Sequence, residues 1–223
     1  MNFINKKITP QPIMQSTLKN KLFFNGVGIH NGKAVTMSIE PSEENTGIVF
    51  ERTDLDYNNL IKANIDNVES SQLCTKITNK HGISVSTIEH LMATFNGLSI
   101  DNAKIKLNSS ELPAMDGSSE EYTRKIIESG ISTQNLNRKY LKLVKEVTVY
   151  ENQRYISITP ANKLILDVEI NYPKTIIGND EFSYIHSQEA FIKQICRART
   201  FAFSEDIQKM RAAGLAIGGS LNN

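Results

Sequence analysis

Tryptophan is absent from the 223 residues of this chain, and cysteine occurs only twice. Cys74 and Cys196 are too few for a disulfide framework, and neither belongs to a Cys-x-x-Cys pair. Free thiols are typical of a reducing compartment, because disulfides persist mainly in oxidising ones. The cysteine content therefore predicts a cytoplasmic protein.

The chain also lacks long apolar runs and an excess of charge. No apolar segment approaches the roughly 20 residues that span a bilayer, and the polar start of the chain lacks the apolar stretch of a signal peptide. Lysine and arginine total 25 against 24 acidic residues, a net charge of +1, whereas nucleic-acid-binding domains usually carry a strong basic excess. We therefore expect no transmembrane segment and no nucleic-acid partner.

The order of the predicted elements indicates the fold class. A hydrophobic fraction of 39% with 22% charged residues fits a globular protein. Strand patterns are followed by helix patterns twice, which predicts an α+β fold with two domains. We expect a loose leader at residues 1–15, a first α+β domain at 16–130, a polar linker at 131–139 and a second α+β domain at 140–223.

Local motifs predict several elements of the first domain. Asn31-Gly32 indicates the turn of a hairpin, and Gly26 and Gly28 just before it indicate a bulge or a close backbone approach. Apolar residues alternate with polar ones at Ala103, Ile105 and Leu107, which predicts a half-buried strand. A helix is expected to begin near Thr87 and to stop at Asn96-Gly97.

The pair Glu89-His90 at this helix start has two interpretations. A carboxylate beside an imidazole can act as a general base next to a metal ligand. Alternatively, Ser86 caps the helix with Glu89 in a capping box, and His90 is an ordinary surface residue. Zinc catalysis needs about three protein ligands, but no His-Glu-x-x-His motif occurs and the other three histidines lack ligand spacing to His90.

Three other segments are weaker candidates for chemistry. Residues 197–203 (Arg-Ala-Arg-Thr-Phe-Ala-Phe) could bind an anionic sugar phosphate, or they could be a helix end with solvated arginines and core phenylalanines. Asp116 could be a catalytic carboxylate, although Asp-Gly-Ser is ordinary turn chemistry. Cys74 could be a nucleophile, but a buried inert thiol fits better because no base is identifiable near it in the sequence.

Taken together, six ordered segments resemble one protein family. The chain is similar to the zinc-dependent UDP-3-O-acyl-N-acetylglucosamine deacetylases of lipid A biosynthesis, from about Gln15 to the last residue. The segments are 26–32 (Gly-Val-Gly-Ile-His-Asn-Gly), 86–91 (Ser-Thr-Ile-Glu-His-Leu), 97–102 (Gly-Leu-Ser-Ile-Asp-Asn), 111–118 (Glu-Leu-Pro-Ala-Met-Asp-Gly-Ser), 197–201 (Arg-Ala-Arg-Thr-Phe) and 214–220 (Gly-Leu-Ala-Ile-Gly-Gly-Ser).

The resemblance implies a fold and a reaction. The fold would be two similar two-layer domains, each a sheet with two helices, with the helical layers packed between the sheets. The reaction would be hydrolytic removal of the N-acetyl group from a UDP-linked, 3-O-hydroxyacylated glucosamine, which releases acetate. His90 would be a zinc ligand, Glu89 the general base, and Thr200 the donor of a hydrogen bond to the oxyanion.

The resemblance also implies a set of substrate-binding residues. Most of them would lie in an insert near residues 201–220 that forms a hydrophobic passage for the acyl chain. The set comprises Leu73 and Cys74 at the edge of the active site, Arg154 and Tyr172 at the nucleotide-sugar, Phe201 and Phe203 against the substrate, Ile207, Met210, Leu215 and Ala216 in the passage, and Gly219 and Ser220 after it.

One departure from the family is large. A later His-Lys-x-x-Asp segment that holds the other zinc ligands, and a further histidine beyond it, do not occur in this sequence. We therefore expect a truncated second domain, weak zinc binding and no activity of this chain alone, unless a C-terminal chain complements it. The alternatives are a non-catalytic substrate-binding remnant, one half of a split enzyme, and a nucleic-acid-binding α+β domain.

Overall fold

The computed structural model describes residues 13–70 and 73–223, and over this range the fold is α+β, as predicted. Residues 1–12 of the predicted leader at 1–15 lie outside the described residues. The strands are β1 (Met14–Leu18), β2 (Leu22–Val27), β3 (Ala34–Pro41), β4 (Ile48–Arg52), β5 (Leu60–Lys62), β6 (Val68–Ser70), β7 (Lys76–Thr78), β8 (Ser84–Val85), β9 (Ala103–Leu107), β10 (Ile131–Asn137), β11 (Val147–Glu151), β12 (Arg154–Ile158), β13 (Ile165–Tyr172) and β14 (Gly178–Ile185).

The helices are fewer and mostly short. They are α1 (Glu89–Gly97), α2 (Glu120–Ser129), α3 (Gln188–Ala190) and α4 (Ser204–Ala212), with a 3-10 turn at Ile65–Asn67 and a π-helical turn at Phe191–Ile195. Within the described residues, no helix has the length and apolar character needed to cross a bilayer.

A five-stranded sheet forms the first half of the molecule. Its order is β2-β3-β9-β4-β5, with β4 and β9 parallel and the other pairs antiparallel. The predicted hairpin is confirmed, because β2 and β3 pair around the Asn31-Gly32 turn. The predicted alternation in β9 is confirmed too: Ala103, Ile105 and Leu107 are fully buried, so one face of the strand packs on the core.

Helices α1 and α2 cover the buried face of this sheet. Leu91 and Phe95 of α1 and Tyr122 and Ile126 of α2 are at most 1% exposed, which is the spacing of one apolar helix face. Helix α2 ends before Gly130, whose φ of +89° suits glycine. Burial of these side chains supplies the main stabilisation of the first half.

Most of the predicted linker at 131–139 is instead strand β10, which pairs antiparallel with β1. This strand was not recognised because its residues are polar and largely exposed. Its neighbour, the side chain of Asn102, donates hydrogen bonds to Gln134 (2.7 Å) and to Gln15 of β1 (2.8 Å). Hydrogen bonds between side-chain amides therefore hold β10 in place, where other strands show an alternation of apolar residues. The division into domains at 16–130 and 140–223 stays a prediction.

Two separate hairpins, β11–β12 and β13–β14, begin the second half. Strand β14 was not expected from the sequence. Each hairpin has an exposed apolar face: Val149 and Ile156, which pair across the first hairpin, are 63% and 68% exposed, and Val168 and Phe182 of the second are 50% and 47% exposed. The described residues therefore leave these faces uncovered.

The two halves meet closely where helix α1 passes the π-helical turn. A Cβ atom at Gly97 would overlap the ring of Phe191, which is 3% exposed. The amide of Gln188 also donates to the carbonyl oxygen of Leu98 at 2.9 Å. Gly97 was expected to stop helix α1, and it is the last helical residue, but its missing side chain also admits Phe191.

A second close contact joins the Gly26–Gly32 region to the segment after helix α4. The backbone N–H groups of Ile217 and Gly218 donate to the carbonyl oxygens of His30 (3.2 Å) and Ile29 (3.0 Å). A Cβ at Gly218 would overlap the carbonyl oxygen of Gly28. The close approach predicted at Gly28 is thus confirmed, and it brings the second half over the first.

We predict that Gly97→Ala lowers the free energy of unfolding by about 1–3 kcal/mol, because the new methyl group overlaps the ring of Phe191. In the Phe191→Ala background the same substitution should be neutral or stabilising, since the ring is gone and alanine favours the helix by about 1 kcal/mol. Urea unfolding of both single variants and the double variant measures this coupling. An equal loss in both backgrounds would show that Gly97 is not needed for Phe191.

Candidate functional site

A cavity of about 690 Å³ lies between the two halves. One wall comes from the first half and the other from the second, so neither half forms it alone. The lining residues from the first half are Ile29, His30, Leu73, Thr87, Glu89, His90, Pro113, Ala114, Gly117 and Tyr122, and those from the second half are Arg199, Thr200, Phe201, Ala202, Ser204, Ile207, Gln208, Met210, Arg211, Ala216, Gly219, Ser220, Leu221 and Asn223.

Glu89 is the first residue of helix α1 and lines this cavity. Its Oε2 accepts a hydrogen bond from the backbone N–H of Thr75 at 2.9 Å. The predicted capping box is wrong: Ser86 has its backbone N–H and C=O bonded to Ser110 and Leu112, in an extended conformation away from the helix. Glu89 is therefore available for a role in the cavity.

Thr87 connects that extended segment to helix α1 through a strained backbone. Its φ is +59°, a left-handed conformation that a β-branched residue rarely adopts and that costs of order 1–3 kcal/mol. The hydroxyl of Thr87 donates to Oε1 of Glu111 at 3.1 Å. Strain of this kind persists only where the surrounding structure enforces it.

His90 is half-buried and lines the same cavity, so it is not the ordinary surface residue of the alternative interpretation. Its carbonyl oxygen accepts hydrogen bonds from the hydroxyls of Ser119 (2.9 Å) and Thr94 (3.0 Å). These bonds fix the first turn of α1 against the start of α2. Neighbouring side chains of Glu89 and His90 therefore face the cavity from a fixed turn.

The residues around His90 do not make a zinc site by themselves. Among the described residues, no group of three or more His, Cys, Asp or Glu side chains lies close enough together to hold a metal ion. A catalytic zinc ion needs about three protein ligands, and the imidazoles of His30 and His90 and the carboxylate of Glu89, which line this wall, do not form such a group. The donor set present therefore does not fit a zinc ion.

The segment 197–203 forms part of the opposite wall. The N–H of Thr200 donates to the carbonyl oxygen of Gly117 at 3.1 Å, which attaches the segment to the first half. Arg197 pairs with Glu120 at 2.8 Å. Phe201 is 54% exposed and lines the cavity, so the interpretation of its ring as a core residue is wrong.

Three aromatic rings gather beside this wall. The rings of Tyr172, Phe201 and Phe203 contact one another edge to face, with centroids 5.7–5.8 Å apart. They line a second cavity of about 630 Å³ that also touches Leu73, Arg199, Thr200 and Met210. Flat apolar surfaces next to cationic side chains suit an aromatic, anionic ligand.

The remaining predicted residues divide into those at a cavity and those away from it. Leu73, Ile207, Met210, Ala216, Gly219 and Ser220 line the first cavity. Cys74, Arg154 and Leu215 line neither cavity; Cys74 is a half-buried free thiol, and Arg154 lies exposed on β12. Burial raises the pKa of the other thiol, Cys196, which keeps it protonated.

Asp116 has the ordinary turn role that the sequence offered as its alternative. Its Oδ1 accepts hydrogen bonds from the N–H and the hydroxyl of Ser118, at 3.1 and 2.8 Å. The carboxylate that sequence reasoning missed is Glu111, which is 1% exposed. A charged residue directly before the apolar run Leu112-Pro113-Ala114 was the available signal, since such a residue needs buried partners.

Comparisons with known proteins agree on one family. The family model for LpxC, UDP-3-O-acyl N-acetylglycosamine deacetylase, matches residues 15–223. A UDP-3-O-acyl-N-acetylglucosamine deacetylase of Pasteurella multocida is 39% identical over 213 residues, which cover 95% of this chain and 70% of that protein. Deacetylases of the same name from Campylobacter hominis and Wigglesworthia glossinidia brevipalpis are 38% and 39% identical, with 94% of this chain and 70% and 72% of those proteins covered.

We predict a pH dependence from Tyr122, which lines the cavity and is 1% exposed. Burial, together with the charges of Glu121 and Asp116, holds its pKa well above the usual range. The unfolded chain ionises this phenol near pH 10, so stability should fall by about 1.4 kcal/mol per pH unit above that pH. Urea unfolding between pH 8 and 11 should show the fall in the wild type and not in Tyr122→Phe.

The same substitution should cost about 1–3 kcal/mol at neutral pH, because the hydroxyl donates to the carbonyl oxygen of Pro113 at 2.7 Å. Tyr57→Phe is the matched control, since Tyr57 is 81% exposed and should change neither value. Equal alkaline slopes for wild type and Tyr122→Phe would contradict the prediction.

Proposed function

This chain belongs to the UDP-3-O-acyl N-acetylglycosamine deacetylase family, and we propose that it carries the general base and the substrate-binding walls of such an enzyme. The substrate class is a UDP-linked glucosamine that carries an N-acetyl group and a 3-O-hydroxyacyl chain. The reaction is hydrolysis of the N-acetyl amide in lipid A synthesis, with acetate and a free amine as products.

The main support for the proposal is the placement of Glu89 and Thr200 in the first cavity, which they line from the two halves. Oε2 of Glu89 accepts a hydrogen bond from the N–H of Thr75, and the N–H of Thr200 donates to the carbonyl oxygen of Gly117. No other hydrogen bond to the Glu89 carboxylate is present in 13–70 and 73–223. A carboxylate held through one oxygen leaves the other to accept a proton in the cavity.

In the proposed reaction, a water molecule in the cavity attacks the carbonyl carbon of the N-acetyl group. The free oxygen of Glu89 accepts a proton from this water as the carbon–oxygen bond forms, and the carbonyl oxygen becomes an oxyanion. The Thr200 hydroxyl donates a hydrogen bond to that oxyanion. Such a bond strengthens as charge develops, so it favours the transition state over the ground state.

Collapse of the tetrahedral intermediate then breaks the carbon–nitrogen bond. The nitrogen takes a proton as it leaves, and Glu89 holds the proton that the water released, so it can return as a general acid. The products are acetate and the amine.

The lining of the two cavities supports the placement of the substrate. Ile207, Met210 and Ala216 give the first cavity apolar surface next to Glu89, which suits the acyl chain. The Tyr172, Phe201 and Phe203 rings suit the uracil ring and the sugar. Leu73, Gly219 and Ser220 would contact the substrate where they line the cavity, and Cys74, Arg154 and Leu215 remain proposed contacts from outside it.

Zinc dependence is part of the proposal, with His90 as one ligand. Because the described residues hold no complete donor set, the other ligands would come from polypeptide other than these 223 residues. A chain segment of that kind would also cover the exposed apolar faces of β11–β12 and β13–β14. We further propose a cytoplasmic location, which agrees with the free thiols of Cys74 and Cys196.

A second function is favoured by the same metal observation. A chain that holds the substrate walls without a complete zinc site would bind the UDP-sugar and not turn it over. Calorimetric titration with the acylated UDP-sugar measures whether this chain binds that ligand. Binding by this chain, with no acetate release by a folded chain that holds a complete zinc site, would favour a binding module.

We predict that the purified 223-residue chain releases no acetate from the acylated UDP-sugar, with or without added zinc. A fusion of this chain to the part of the Pasteurella multocida relative outside the match should release acetate at a rate at least about 100-fold above the background rate measured with this chain alone. Acetate and free amine are quantified by mass spectrometry. Release by the pure chain would contradict the dependence on further ligands, and no release by a folded, zinc-loaded fusion would contradict the proposed function.

Within that fusion, Glu89→Gln should lower kcat by about 10²–10⁴-fold with little change in KM, because the amide keeps the shape of the carboxylate and cannot accept the proton. Glu128→Gln is the matched control: it makes the same substitution on the exposed face of α2, where Glu128 forms an exposed ion pair with Arg124. A Glu89→Gln rate within about twofold of this control would exclude Glu89 as the base.

A further inference from the structure

One buried carboxylate that the proposed chemistry does not use connects both walls of the cavity. Glu111 is 1% exposed, and no ion pair of the described residues includes it. It accepts hydrogen bonds from the N–H of His30 (2.8 Å), the N–H of Asn31 (2.9 Å) and the hydroxyl of Thr87 (3.1 Å). A buried carboxylate needs such donors, and two of these three, His30 and Thr87, line the cavity.

The first two donors lead to the second half of the molecule through two successive peptide units. In the peptide between Ile29 and His30, the N–H donates to Glu111 and the carbonyl oxygen accepts a hydrogen bond from the N–H of Gly218. In the next peptide, between His30 and Asn31, the N–H donates to Glu111 and the carbonyl oxygen accepts a hydrogen bond from the N–H of Ile217. Because N–H and C=O point in opposite directions across a trans peptide, Glu111 on one side orients the acceptors that hold segment 216–220 on the other.

Gly28 shows how tightly this arrangement is built. A Cβ atom there would lie 2.6 Å from Oε2 of Glu111, so only glycine lets the carboxylate reach the two N–H groups. Segment 216–220 in turn contributes Ala216, Gly219 and Ser220 to the cavity lining. The carboxylate therefore acts on the second wall through the turn at 28–32.

The third donor leads to helix α1. Thr87 has the left-handed φ of +59° and lies two residues before Glu89. The backbone of Glu111 is held against the same segment, since the N–H of Ser86 donates to Ser110 and the N–H of Leu112 donates to Ser86. The Glu111 side chain thus reaches Thr87 from a fixed base and holds it in a conformation that it would otherwise leave.

We propose that Glu111 is a positioning residue that sets the Glu89–His90 turn and segment 216–220 relative to each other. The inference deepens the proposed function and rests on it only for the role of Glu89 as base. Glu111 itself is not among the residues that line the cavity. It acts through Thr87 on one wall and through the peptides of residues 29–31 on the other.

The test is hydrogen exchange of the full 223-residue chain, which needs no turnover. Glu111→Gln keeps the size of the side chain but replaces one acceptor by an N–H₂ donor. We expect exchange at least about tenfold faster in peptides covering 28–32, 86–92 and 215–220, with β3 and β9 unchanged. Glu128→Gln is the control variant. Uniformly faster exchange in β3 and β9 as well, or no change at 86–92, would overturn the proposal.

A second substitution separates positioning from general packing. Glycine adopts the left-handed conformation without strain, so Glu111→Gln with Thr87→Gly should regain protection at 86–92 and not at 28–32 or 215–220. If residues 86–92 exchange as fast in the double variant as in Glu111→Gln alone, the role assigned to Thr87 would be overturned.

If Glu111→Gln does not fold, Thr87→Val in the wild-type background tests the proposed action of Glu111 on helix α1 through Thr87. It removes the hydroxyl donor, keeps the branched shape, and should speed exchange at 86–92 alone. Unchanged exchange there would overturn the proposal. Since exchange does not depend on acetate release, failure of the proposed deacetylation with this exchange pattern intact would leave the positioning role standing.

Discussion

The cavity depends on two contacts in which a glycine without a side chain lets another part of the chain approach its backbone closely. At Gly97 the missing Cβ admits the ring of Phe191, and at Gly218 it admits the carbonyl oxygen of Gly28. These two contacts bring the halves together at separate points, and the cavity with Glu89 on one wall and Thr200 on the other lies between the halves. Neither glycine lines the cavity, but a change at either one should act on the cavity, since interiors this tightly packed transmit displacement.

Several residues with a strained backbone lie around the same cavity. Leu73, Thr87, Met115 and Ala216 all have a left-handed φ, between +52° and +65°, and three of them line the cavity directly. Each such residue costs free energy that a surface loop would release by relaxing. Hydrogen bonds from neighbours, such as that of Thr87 to Glu111, offset this cost. Strain and buried polar contacts are therefore parts of one arrangement that holds the walls in a fixed position.

The sequence predicted elements whose signal is local and missed those whose signal is a partner distant in the chain. The Asn31-Gly32 hairpin, the alternation of β9 and the glycine end of α1 each follow from a few adjacent residues, and the structure has all three. Strand β10 looked like a linker because its partner, β1, lies more than 100 residues away. The capping box at Ser86 and Glu89 had the right spacing, but tertiary bonds to Ser110 and Thr75 outcompeted it. Glu111 carried little local signal, because its three donors converge only in the folded chain.

The site separates positioning from metal chemistry in a way that follows from these contacts. Glu89 is oriented by the N–H of Thr75 and Thr200 by the carbonyl oxygen of Gly117, so neither needs a metal ion to hold its place. His90 likewise has its backbone fixed by Ser119 and Thr94. The proposed base, the proposed oxyanion donor and the proposed substrate walls are therefore preorganised by bonds internal to this chain, while a complete metal donor set is not found among its described residues. Added ligands would then meet a wall that already has its geometry, and the cost of ordering that wall would have been met by folding and not by metal binding.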